Sequence, residues 1–250
     1  MKKHLSVFAL FARSSIYKLL LILLAVSALE TAAFTRVLNR SLDASAAISY
    51  SAGIQQLEGV FSDSGMALFL FCAFVAFSIV LALPGTELSS RSGYTLRRLS
   101  VSEAEVFFLQ ALFNLFAYIL LYATHSALSL LLCRLYVNAA PDWLVGNQTV
   151  FLAYYRSGLL HALLPLSDIT LWLRNSFLFI ALSFAAALFP LRQRRKSFNT
   201  ALPLCVIYTA VFFRQGIGNI ANCAVTAVLM IAVSSYAIYF ALKGDKADDN

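Results

Sequence analysis

Few residues in this sequence could do chemistry inside a membrane, and Glu30 is the first of them. It lies in an apolar stretch, 16–34, long enough to cross a bilayer. An acid in such a stretch relays protons, ligates an ion or pairs with a base. Two readings of Glu30 stand: a residue that reaches the outer interface or pairs with an outer arginine such as Arg36 or Arg174, and a residue of a transport pathway. The histidines His4, His125 and His161 are far apart in sequence, and His125 reads as a packing histidine hydrogen-bonded to a neighbouring helix. Cys72, Cys133, Cys205 and Cys223 lie in or beside apolar runs with no C-x-x-C spacing, which favours small packing residues over zinc or disulfide roles.

Other chemistry is missing. No glycine is followed by lysine, so no phosphate-cradling G-x-x-x-x-G-K-[ST] loop exists; H-E-x-x-H and G-x-S-x-G are absent as well. No enzyme activity, cofactor or metal is expected on this chain. The five later apolar runs hold no Asp or Glu, which disfavours an ion-coupled carrier.

The second group with chemical potential is the polar stretch 84–108, PGTELSSRSGYTLRRLSVSEAEVFF, with Arg91, Arg97 and Arg98 between two uncharged apolar runs. A basic connector between membrane-length runs reads as a cytoplasmic loop. Ser102 precedes Glu105 by three residues, the spacing of a capping box before an apolar run, so a helix is expected to start there. A short helix is expected around Tyr94–Leu99.

The elements that must position these residues follow from composition. Of 250 residues, 60% are hydrophobic and 12% charged, about half the charge of a soluble domain. The fold class is therefore an all-α membrane protein in a single transmembrane domain, 1–250. The net charge of +7 belongs at a membrane face rather than on nucleic acid. Apolar runs predict six spans at about 16–34, 66–83, 106–133, 175–191, 198–213 and 220–242, after an amphipathic, basic interfacial helix over 1–15. The stretch 148–164 is apolar but contains Arg156, costly at a bilayer centre, so an outer interfacial or re-entrant helix is favoured over a spanning one. This layout puts thirteen of the 19 Lys and Arg on the face that holds both termini, which is then cytoplasmic.

Three features resemble the ABC-2 type permease family, the membrane subunits of ATP-binding-cassette exporters: the basic amphipathic start KKHLSVFALFARSSIYK, the loop GYTLRRLSVSEAEVFFLQALFN and the six-span plan. The resemblance implies a permease in a bacterial plasma membrane, paired with itself or a paralogue and driven by a separate ATPase. It also implies that Tyr94, Leu96, Arg97, Arg98 and Leu99 contact that ATPase, with Glu103 and Glu105 at the helix start that follows. The chain departs from the family pattern in two places. The long outer segment lies between spans three and four rather than between five and six, and Ser100 stands where many relatives have proline. The alternatives are a non-transport assembly or sensory subunit, and a secondary carrier.

Overall fold

The computed structural model describes residues 2–47, 55–84, 86, 102–141, 144–166, 168–195, 197, 199–215 and 220–248. Tyr94, Leu96, Arg97, Arg98 and Leu99 lie outside the described residues. The described residues form nine helices and no strand. Lipid offers polar backbone groups no hydrogen-bond partner, so each N–H and C=O must be paired within the protein, and helices do this within their own segment.

Helix α1 spans Lys2–Ala47. No glycine or proline interrupts it, and Thr31 and Thr35 return their hydroxyls to carbonyls one turn back. The interfacial helix expected over 1–15 is therefore not set off by a break. Val7 and Phe11 are buried, and Phe8 meets Phe113 edge-on at 5.6 Å, so this stretch packs into the bundle as part of α1. Helices α2 (Leu57–Asp63) and α3 (Met66–Ala82) meet at a 48° bend. Gly65 makes the bend with φ +69°, a left-handed conformation that glycine adopts without steric penalty.

Helix α4 (Glu103–Ala139) runs 37 residues, about 56 Å at 1.5 Å per residue. Ser102 accepts a hydrogen bond from the Glu105 backbone N–H at 3.2 Å, the N-cap that the spacing predicted. Two short helices follow, α5 (Thr149–Arg156) and α6 (Gly158–Leu163), broken at Ser157. The longer helices α7 (Ile169–Arg194) and α9 (Ile220–Asp248) flank α8 (Ala201–Gln215) in sequence.

Ring and hydrogen-bond contacts fix the directions. Phe74 and Ser78 of α3 meet Tyr118, whereas Gln110, farther back along α4, reaches the Leu81 and Pro84 carbonyls; α3 and α4 are antiparallel. Glu103 meets Arg194 and Arg195 while Tyr122 meets Phe179, so α4 and α7 are antiparallel too. Helix α8 runs back along α7, from Asn199 on the Ala185 carbonyl to Phe213 on Phe179. Leu188 and Leu191 pack with Ala237 and Ala241.

Two ends result. The basic end carries Glu103, Arg192, Arg194 and Arg195. At the other, the last turns of α1 and α4 extend past the start of α7, and α2, α5 and α6 close over the bundle as a cap. Among the described residues, helices α1, α4, α7 and α9 are each long and apolar enough to cross a membrane, and the bent α2–α3 pair counts as a fifth only where its two helices are taken as one span. The chain is an all-helical, multi-pass membrane protein. Helix α8, expected as the fifth span at 198–213, has 15 residues, about 22 Å against a hydrocarbon core of roughly 30 Å.

Candidate functional site

One face of α4 concentrates polar side chains. Tyr118, Tyr122 and Ser126 form one stripe at four-residue spacing, and His125 and Ser129 form the next. All but the half-buried Tyr122 are buried. In a helix this apolar each needs a reason to be inside.

Tyr118 shares a hydrogen bond of 2.7 Å with Ser78, which ties α4 to α3. The Tyr122 hydroxyl donates to the Leu163 carbonyl, and Ser126 donates to the same oxygen at 3.4 Å. Asn175 of α7 donates to the Ala162 carbonyl at 3.0 Å. These two carbonyls end α6, where a helix leaves acceptors unpaired. Side chains from α4 and α7 therefore hold the cap down by its last turn.

His125 points toward α1. Its Nε2 lies 3.2 Å from Glu30 Oε1, with the two side chains 2% and 1% exposed. The approach is off-line, and neither carboxylate oxygen completes a well-directed hydrogen bond. His125 Nδ1 lies 2.9 Å from the Leu121 carbonyl. A carbonyl only accepts, so Nδ1 carries a proton. A charge on either group is costly in so buried a site unless the other answers it.

The arrangement differs from an outer-arginine pairing of Glu30. Glu30 forms no ion pair with Arg36 or Arg174 among the described residues, and His125 is bonded within its own helix while its other nitrogen faces an acid. Whether Glu30 belongs to a pathway is a separate question, taken up below.

Arg174 is the unexpected member. At 1% exposure it is the largest fully buried side chain described, and no carboxylate pairs with it among the described residues. It donates to Asn175 Oδ1 through Nε and Nη2 at 3.3 and 3.0 Å and lies over the Phe212 ring at 5.6 Å. The same Asn175 that supports the guanidinium holds α6. Tyr154 of α5 is buried with no partner for its hydroxyl among the described residues, and that burial pushes its phenol well above the ordinary value.

At the basic end Glu103 accepts from Arg194 Nη1 at 3.0 Å and Arg195 Nη2 at 2.8 Å, joining the first turn of α4 to the last of α7. Arg192 lies over Tyr236 and Phe240 at 5.4 and 5.0 Å. Glu103 is thus engaged within the chain, whereas Glu105 is exposed. Three cysteines are buried as packing residues; Cys72 faces outward.

No family model, curated protein or solved structure matches this chain.

Proposed function

We propose that the chain is the permease subunit of an ABC-2-like exporter, with six crossings and both termini on the cytoplasmic face. It would pair with itself or a paralogue and be driven by a separate ATPase docking on the loop between α3 and α4. The observation that carries this reading is α4 itself. It starts at the end of that loop with a capped first turn, is clamped to α7 through Glu103, and runs unbroken to the buried Glu30–His125 pair. A push on the loop has a stiff path into the bundle.

Six crossings are supported by direction. Helix α8 runs back along α7, and α9 ends beside the end of α7, with Arg192 on Tyr236 and Phe240. In this reading the chain returns to the cap end between them through α8, although that helix is short. The exposed Trp172 and the Arg192–Tyr236 contact lie 20 residues apart on α7, about 30 Å, the thickness of the hydrocarbon core.

The decisive test is Tyr94→Ala with Arg97→Ala. Membrane insertion should persist while co-purification with the ATPase falls or ATP hydrolysis uncouples from export, as expected when an aromatic and an arginine anchor an interface. Unchanged ATPase binding together with unchanged export would sink the coupling role.

A second reading has one observation in its favour. Glu30 and His125 bring a carboxyl and an imidazole within 3.2 Å in a buried site, the residue types a proton-linked carrier would use. Glu30→Gln separates the two. An exporter worked by an ATPase keeps its turnover in the variant, whereas a proton-linked carrier loses dependence on a pH gradient.

A further inference from the structure

A lateral cleft of about 910 Å³ opens below the cap, between α3 and α8. Its volume is within the roughly 300–1,000 Å³ typical of small-molecule sites. The walls are apolar: Phe71 and Leu68 on α3, Ile207 and Val211 on α8. Leu68, Ile207 and Val211 are also outward-facing, at 63%, 55% and 44% exposure, so the cleft opens sideways toward lipid. The α2–α3 bend at Gly65 borders it, and a Cβ built on Gly65 would meet nothing within 4 Å.

The roof is different in kind. Arg156, at the break between α5 and α6, donates through Nη1 to Gln56 Oε1 at 2.9 Å and to Glu58 Oε1 at 3.2 Å. Both bonds use the same nitrogen, leaving Nη2 and Nε to address a second acceptor. The guanidinium is 56% exposed and the carboxylate 25% exposed, so neither charge is sealed off. A guanidinium with two spare donors matches phosphate oxygens, and the carboxylate beside it matches an ammonium.

We propose that this cleft binds a zwitterionic phospholipid-like amphiphile. Its phosphate would sit on Arg156, its ammonium on Glu58, and an acyl chain would lie between α3 and α8. The charge arrangement decides the occupant. A bare hydrocarbon chain would leave the roof unused, and a purely anionic head would meet the Glu58 carboxylate. The proposal does not depend on an ATPase, because it concerns binding alone.

The test uses the purified full chain in detergent, titrated with lysophosphatidylethanolamine, lysophosphatidic acid and monoacylglycerol of one chain length and read by native mass spectrometry. The zwitterion should bind about 10-fold more tightly than the monoacylglycerol, the scale of one charge-assisted hydrogen bond set. It should also bind more tightly than lysophosphatidic acid. Arg156→Gln should erase the preference over monoacylglycerol, and Glu58→Gln the preference over lysophosphatidic acid. Ala210→Phe leaves the roof intact and should weaken all three lipids by filling the cleft, which keeps the test informative if a roof variant fails to fold. Equal binding of all three lipids by the unaltered chain would overturn the proposal. So would lipid binding that Ala210→Phe leaves unchanged, or a disulfide between two copies through Leu68→Cys that forms whether or not lipid is present, since a second copy would then cover the cleft.

Discussion

Glu30 and Glu103 are the same residue in opposite circumstances. Glu103 sits at the basic end, 29% exposed, between two arginines at 3.0 and 2.8 Å. Glu30 is 1% exposed and has one imidazole at 3.2 Å. Around Glu103, water screens whatever the arginines do not neutralise, so its removal is cheap. Around Glu30 little water screens, so removing either partner leaves the other buried and unanswered. Removing one partner of the rim pairs thus costs less than removing one partner of the longer, off-line pair inside.

The largest effect expected from this contrast is at the interior. His125→Leu leaves the Glu30 carboxyl buried with no neighbour and should destabilise the protein by about 3 kcal/mol, the low end of what breaking a buried pair costs. Glu30→Leu with His125→Leu removes both groups and should recover most of that loss. Thermal unfolding of the purified variants checks it. A double variant no better than the single would mean that shape, not charge, holds this position.

Next comes the seam between cap and bundle. Asn175→Ala removes the donor to the Ala162 carbonyl and the acceptor for Arg174 together. Leaving a buried acceptor and a buried guanidinium short of partners should cost about 2–3 kcal/mol. Protease sensitivity at the α5–α6 break should rise before the rest of the bundle opens, because those bonds end α6. If cap and bundle lose protection together, the cap is not the weaker unit.

The sequence made some of this legible. Runs without glycine or proline, such as 103–139, give long helices whatever surrounds them. Ser102 and Glu105 marked the start of α4, because capping is local. Arg156 was kept out of a span by the cost of its charge, and it does lie at the break between two short helices, half-exposed. What escaped was long-range. Glu30 and His125 are 95 residues apart, and their meeting depends on the rotation and height of α1 against α4, which no spacing rule supplies. Arg174 escaped for a related reason: expected in an outer segment next to the fourth span, it lies inside α7 because Asn175 and the Phe212 ring receive it there. The continuity of α1 through residue 15 was hidden by its basic, amphipathic composition, which suits an interfacial helix and a packed one equally.

A smaller effect is expected at the start of α4. Ser102→Ala removes the side-chain acceptor for the Glu105 N–H and should cost about 1 kcal/mol, typical of a lost N-cap. The loss is confined to the first turn, so unfolding should shift slightly while the Glu30–His125 region keeps its protection in hydrogen exchange. Loss of protection at both places would show that the first turn and the middle of α4 open as one unit.

The smallest effect sharpens the comparison most. Glu103→Gln deletes two ion pairs at once and keeps the side chain's size. Both pairs are partly exposed, at 29% for Glu103 and 20% and 33% for Arg194 and Arg195. Exposed pairs are worth about 0.2–1 kcal/mol each and weaken with salt. The amide oxygen of Gln can still accept from one arginine, so the expected loss is under about 1 kcal/mol. The unaltered protein and the variant should converge in stability as ionic strength rises toward 1 M, where the screening length is about 3 Å. The His125→Leu deficit should persist at the same salt, because ions do not reach a site that is 1% exposed. If the Glu103→Gln deficit also persists in high salt, the clamp at the basic end is packed rather than electrostatic. The two glutamates would then differ in depth but not in kind.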